Sequence, residues 1–295
     1  MCGRYVMALR AGDLVDALSA AGLDEVEVPA TTAIQQSWNI APTATVPILV
    51  ERLVEAADGA ESSAASAASA ASSAEPSASP AGARRREIHS ARWGLLPRWA
   101  ESAAFSAKTF NARSETAASK PSFRSAVRRR RCAVPAQGYY EWRAAVDETT
   151  GRTVRTPHHI RPADGSVLLF AGLYEWWQDP ELVAAGADSW VLSTTILTGP
   201  SPEPGPGDAT NEGDETLQTL ADLHDRLPLA LDAETAADWI RPGERDRDEA
   251  AVQLERLQAA ALDVARGFAI DEVDRAVGNV RNDSPELTRP IEGLF

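Results

Sequence analysis

The second residue of the chain is a cysteine, Cys2, and its position gives it chemistry that no internal cysteine has. An initiator methionine followed by a small residue is normally removed in cells. Cys2 then carries a free α-amine beside its thiol. Ordinary pKa values of roughly 7.7–8.0 and 8.5 place both groups near their reactive forms at neutral pH. Such a 1,2-aminothiol captures aldehydes: the amine forms an imine, and the thiol then adds to close a thiazolidine ring. Position alone favours an incidental second residue, so the rest of the chain has to decide whether this chemistry is used.

The other nucleophiles are few. Cys132, the second of only two cysteines, lies in a short apolar run after four arginines and reads as a buried core residue. Two cysteines make no disulfide framework, and the chain has no need of one at 295 residues. There is no Cys-x-x-Cys. His158 and His159 are adjacent rather than at ligand spacing, so they read as ordinary strand or loop residues. No metal and no organic cofactor is expected.

Short β-rich runs must position whatever site exists. They are Thr45 to Val50, Glu87 to Trp93, Cys132 to Pro135, Tyr139 to Arg143, Ser166 to Trp176, Trp190 to Thr195 and Phe268 to Val273. Helical spacing marks Asp13 to Ala21, Leu217 to His224, a segment capped by Asp232 and running through Ile240, and Arg247 to Arg266. There is no βαβ rhythm. The expected fold is α+β, a mainly antiparallel, barrel-like β core with peripheral helices, in a single domain over 1–295. An Ala/Ser/Pro low-complexity insertion at about 55–87 and a Pro/Gly/acidic loop at about 199–215 interrupt it.

Charge is uneven. With 29 Lys+Arg against 43 Asp+Glu the net charge is -14, which by itself disfavours a phosphate-binding surface. Basic residues nevertheless cluster at Arg84 to Arg86 and at Arg128 to Arg131. The second run reads equally as the edge of a nucleic-acid groove or as a solvated charge run. No stretch approaches the ~20 apolar residues of a membrane helix, and no apolar signal core follows Met1, so a cytoplasmic location without membrane contact is expected, nucleoid-associated when bound to DNA.

A series of motifs runs from residue 2 to about 280. Cys2-Gly3-Arg4-Tyr5 opens it. Then come Trp38 to Thr43 (WNIAPT), Trp93 to Trp99 (WGLLPRW), Phe110 to Thr116 (FNARSET), and Arg131-Cys132 with Gly138 to Trp142 (GYYEW). Phe170 to Tyr174 (FAGLY), Thr194-Thr195, His224 to Pro228 (HDRLP) and Val277 to Val280 (VGNV) complete it. In this order the blocks resemble the SRAP family, whose members crosslink covalently to abasic sites in DNA. Leu227 stands where the family pattern leads one to expect Met.

The resemblance implies roles. Cys2 is the nucleophile, Glu141 the carboxylate that holds the amine and carries its proton, and His224 the acid that opens the sugar ring. Asn111 binds the captured sugar. Arg4 and Arg113 contact phosphates, Trp38, Trp93, Trp99 and Trp142 are candidates to stack on bases, with one or two of them touching nucleotides, and Pro42 shapes the pocket. The implied partner is single-stranded DNA with an abasic site, met by a monomer. Ordinary structural readings stand beside these: a strand-edge charge for Glu141, a helix-end histidine for His224, and core packing for each tryptophan. Two other functions also stand. One is an N-terminal-nucleophile peptidase or hydrolase, in which the α-amine serves as base. The other is a non-covalent single-stranded DNA-binding module in which Cys2 is incidental.

Overall fold

The structure, a computed structural model, describes residues 2–54, 83–187, 189–202 and 212–291. In chain order the strands are β1 (Tyr5–Met7), β2 (Val26–Glu27), β3 (Ser37–Ile40), β4 (Thr45–Val54), β5 (Ala83–Trp93), β6 (Asn111–Arg113), β7 (Arg131–Ala136), β8 (Gly138–Val146), β9 (Thr153–Pro162), β10 (Leu168–Gln178), β11 (Trp190–Pro200), β12 (Arg226–Pro228), β13 (Ala230–Leu231) and β14 (Phe268–Glu272). The helices are α1 (Ala11–Ala20), α2 (Ser114–Ala117), α3 (Arg124–Arg129), α4 (Pro180–Ala184), α5 (Glu212–Leu223), α6 (Ala233–Ile240) and α7 (Arg247–Ala265).

The larger sheet closes on itself. Its order runs β11-β10-β7-β4-β5, and β5 then pairs with β11 through Ser193↔Arg92 and Thr194↔Trp93. That last pairing is parallel, while the others in the ring are antiparallel. Closure removes exposed sheet edges. A second sheet of order β14-β9-β8-β1-β3 lies against this barrel. Tyr5 of β1 and Tyr139 of β8 meet Phe170 of β10 edge-to-face at ring-centroid distances of 6.3 Å and 5.9 Å. The α+β, barrel-like core with helices at its periphery is therefore the architecture of the chain.

Local sequence explains the frame. α7 starts at a full capping box, with Asp246 accepting from the Glu249 backbone and Glu249 reaching back to the Asp246 N–H. Asp232 caps α6 by accepting from the Thr235 N–H at 2.7 Å. Gly94 ends β5 at φ 132°, and a Cβ there would lie 2.2 Å from the Ser106 carbonyl oxygen, so only glycine serves.

The structure differs from the sequence expectations in several places. The low-complexity stretch begins outside the described residues, but its last part, 83–87, opens β5. There Arg84, Arg85 and Arg86 pair with carboxylates on neighbouring strands, Glu51 and Glu27. α5 begins at Glu212, inside the expected Pro/Gly loop, because Glu212 to Glu215 supply the acidic first turn a helix N-terminus favours. β9 was not expected. Its sequence, TVRTPHHIRP, mixes polar and apolar residues too irregularly to show a period of two.

The run Arg128 to Arg131 is structural. Arg128 and Arg129 share Glu244, and Arg130 binds Glu175 at 2.6 Å. Arg131 is buried and donates to five backbone carbonyls, those of Val127, Arg128, Trp239, Arg241 and Gly243, tying α3 to the end of α6. Burial pulls its guanidinium down to about 10.

Candidate active site

Cys2 precedes β1, the strand held between β8 and β3. Backbone pairing fixes it there: the Tyr140 N–H donates to the Arg4 carbonyl at 2.9 Å and Tyr5 pairs with Tyr139. Cys2 has no exposed surface. Its backbone carbonyl accepts a 2.7 Å hydrogen bond from Asn111 Nδ2. Asn111 opens β6, which lies parallel to β11 through Ile196↔Asn111, so the barrel wall positions the amide. Asn111 Oδ1 is buried and has no partner among the described residues.

Glu141 lies on β8 two residues after Tyr139 and shares its face of the strand. Tyr140 and Trp142 take the opposite face and pack with Val6, Val273, Val277 and Leu287. Glu141 is 7% exposed and close enough to Cys2 for its charge to act on the thiol. Burial first, and the Glu141 carboxylate second, push the Cys2 thiol well above its ordinary range. The resting cysteine is a thiol, not a thiolate.

His224 follows the last residue of α5, a helix packed against β8. Its Nδ1 accepts the Arg226 backbone N–H at 3.0 Å and lies 2.7 Å from Asp225 Oδ1. The ring is thus fixed through Nδ1 by the turn that follows the helix. Arg226, two residues on, is 7% exposed and bidentate with Glu115, at 2.8 Å and 2.9 Å. It also donates to the Thr198 carbonyl at 2.7 Å. Hydrogen bonding from Arg226 holds the Glu115 carboxyl down at about 2. This clamp fastens the His224 segment to the Asn111 segment.

The remaining sequence-derived residues fall elsewhere. Arg113 lies on the same face of β6 as Asn111 and is exposed. Arg4 turns to the C-terminal segment and donates to Asn39 Oδ1 at 2.9 Å and the Val277 carbonyl at 3.0 Å. Asn39 binds the Val277, Asn279 and Asn282 carbonyls in turn. Trp38 and Trp142 are half-buried on the face turned away from Glu141. Trp99 is 54% exposed and packs edge-on against Phe105, on the loop that covers Trp177. Trp93 is core, its indole N–H donating to the Phe110 carbonyl. Pro42 belongs to a turn whose next residue, Thr43, holds a left-handed φ of 76° while its N–H donates to the Trp93 carbonyl.

Sequence reasoning passed over the pairing of Tyr5 with Tyr139 on the β1–β8 ladder and over His158, which pairs directly with Glu141 on the β8–β9 ladder. For Tyr139 the signal was present: it stands two residues before Glu141. For His158 it was not, because only the β8–β9 register reveals the pairing.

Fold and site together define an α+β barrel protein whose second residue, a buried cysteine, is bonded by an asparagine and faced by a glutamate. The chain belongs to the SRAP family (SOS response associated peptidase), whose pattern matches residues 1–280. Among its relatives, abasic site processing protein YoqW of Bacillus subtilis is 31% identical over 196 residues, 66% of this chain and 73% of that protein. YoaM of Bacillus subtilis, of the same description, is 25% identical over 289 residues, 97% of each chain. YedK of Escherichia coli, likewise an abasic site processing protein, is 28% identical over 199 residues, 68% of this chain and 73% of that one. A crystal structure of a Bacteroides thetaiotaomicron protein has the same fold, with a TM-score of 0.59 at 18% identity over 99% of this chain and 100% of the other.

Proposed function

We propose that the protein processes abasic sites in single-stranded DNA by bonding to them through Cys2, once Met1 has been removed. The observation that carries this reading is the convergence of Asn111, bonded at 2.7 Å to the Cys2 carbonyl, and Glu141, whose charge reaches the thiol, on the one residue that can present a 1,2-aminothiol. The names of the relatives supply the lesion.

Chemistry then assigns the steps. An abasic deoxyribose is mostly a closed hemiacetal, and opening it needs a proton on the ring oxygen. His224, fixed through its Nδ1 by the turn that follows the helix, is the donor. The freed Cys2 amine attacks the aldehyde carbon, giving a carbinolamine. Glu141 accepts the proton lost by the amine and returns it to the departing hydroxyl, so that water leaves and the imine forms. The thiol adds to the imine carbon and closes the thiazolidine. Asn111 holds the Cys2 backbone while both of its nucleophiles turn on one carbon. Arg113, exposed beside Asn111, is placed for a flanking phosphate. No step calls on a metal ion, and the described residues hold no cluster of metal-ligating side chains.

The test is a denaturing gel of untagged protein mixed with a single-stranded oligonucleotide carrying one abasic site. The expected result is a shifted band that survives denaturation. It should be absent with Cys2→Ala, with an intact oligonucleotide and with an aldehyde-reduced one. No shifted band from protein whose mass proves Met1 is gone would overturn the proposal.

A further inference from the structure

Glu141 is drawn on twice in the chemistry above. An α-amine with an ordinary pKa of roughly 7.7–8.0 rests mostly as the ammonium ion at neutral pH. It has to lose one proton before it can attack, and a second leaves its nitrogen as the carbinolamine forms. Only the second is returned, to the departing hydroxyl. Summed over all steps, ammonium, thiol and aldehyde give thiazolidine, water and one free proton. Glu141 is buried, so the first proton it takes up needs a way out before the carboxylate can serve again.

The second sheet supplies one. Glu141 of β8 is directly opposed to His158 of β9, and His158 in turn to Glu272 of β14. Directly opposed residues share a face of the sheet, with their Cβ atoms about 4.5–5.5 Å apart. That span is crossed by a hydrogen bond or by one bridging water. A single row of side chains therefore runs over three strands, and its exposure rises along the way: Glu141 is buried, His158 half-buried and Glu272 exposed. The ring of His158 is held from its own strand. Nδ1 donates to the Thr156 carbonyl at 3.2 Å, which leaves the lone pair of Nε2 to take a proton. Of the other charges near the row, Arg143 follows Glu141 on the same face of β8 and is exposed. The turn Arg275–Gly278 also packs on β9, but its Val277 lies with Tyr140 on the opposite face. His159 turns to that opposite face as well, against the Tyr140 ring.

We propose that His158 is the proton outlet of the site: it takes the ammonium proton from Glu141 and passes it, along the row to Glu272, into solvent. The inference rests on the function proposed above. Nε2 gains the proton as the Glu141 carboxyl gives it up, and water or a buffer base then takes it from the ring. No bond to carbon changes and nothing else is consumed. An imidazole both accepts and releases protons near neutral pH, which an amide or a guanidinium at that place would not do. The carboxylate is thereby emptied for its second task, the transfer from the attacking nitrogen to the departing hydroxyl.

The experiment measures the rate of crosslink formation on a single-stranded abasic oligonucleotide at neutral pH in dilute buffer, with and without added imidazole. Untagged wild type, His158→Ala and His158→Gln are compared, and thermal unfolding is read for each. The alanine leaves a gap at a half-buried position that imidazole can enter. The glutamine fills the place with an amide that takes up no proton. The expected outcome is a rate lower by about tenfold or more in both variants without imidazole. Imidazole should return His158→Ala close to the wild-type rate and leave wild type unchanged. A wild-type rate in either variant without imidazole would overturn the inference. So would slowing of His158→Ala that imidazole leaves in place, since a free base does not replace a residue that only packs. A lowered melting temperature does not blur the result, because a damaged fold gains nothing from imidazole. If wild type itself forms no crosslink, it is the capture reading that fails, and the outlet with it.

Discussion

At the scale of single residues, the molecule contrasts buried groups that react with buried groups that only pack. Cys132 is the second kind: fully buried, its sulfur 3.5 Å from Thr194 Oγ1, and its thiol pushed up to about 12 by burial. His159 is also of that kind. Its ring lies against that of Tyr140, with centroids 5.1 Å apart and planes tilted by 36°. Gly138 makes room for it, since a Cβ there would lie 2.4 Å from His159 Nε2. Burial pulls its ring from 6.5 down to about 4, with Arg161 adding to the effect and Asp271 opposing it. The folded state therefore refuses a proton that the unfolded chain accepts below pH 6.5. Stability is full above that pH, falls as pH drops from 6.5 towards 4, and loses about 3 kcal/mol in all from this group. Chemical denaturation of wild type and His159→Phe at pH 7.5, 5.5 and 4 checks it. The difference in stability between the two should shift by that amount in favour of the variant as pH falls. A constant difference would rule the account out.

At the scale of elements, the Glu115–Arg226 clamp joins α2 to β12 and so ties the segment that carries His224 to the one that carries Asn111. Glu115→Gln should cost about 1–2 kcal/mol, the charged partner being partly exposed. It should slow crosslinking more than it weakens binding to an intact strand, because it disturbs the distance between ring opening and capture. Rates on an abasic oligonucleotide and affinities for an intact one, measured side by side, decide this; equal losses in both would mean a contact with DNA instead. The clamp also marks what sequence could reveal. Cys2, Asn111 and Glu141, which the fold brings together, stand in short motifs that the sequence displays, as does His224. The strands β4, β7, β8, β10 and β11 were legible because apolar β-rich runs mark them, although most extend further than the runs. Arg4 was not: its partners Val277 and Gly278 are more than 270 positions away, and no local pattern tells a phosphate contact from a brace on the C-terminal segment. The arginine run likewise looked like a surface until Glu175, Glu244 and the carbonyls of α6 were seen to absorb it.

At the scale of the whole molecule, the acidity of the chain now has a consequence for binding. Arg84 to Arg86 and Arg128 to Arg131 all bind groups of the protein itself, so the net charge of -14 is not offset by a basic groove built from those runs. Few phosphates can be neutralised. For about three contacts on a single strand the slope of log affinity against log salt is about −2. A salt titration of binding to an intact single strand should give a slope no steeper than that, and one near −6 would demand a basic surface not recognised above. One feature of the frame also sets an order of events during synthesis. Cys2 has no exposed surface because β1 is enclosed by β3 and by β8, and the β8 partner residues Gly138 and Tyr139 are made long after Tyr5. At ribosomal rates of about 5–20 residues per second the gap is on the order of ten seconds. During that interval β1 lacks the pairs with β8 that later hold it. The segment that carries Cys2 therefore stays unpaired on its β8 side until nearly half of the chain has been made.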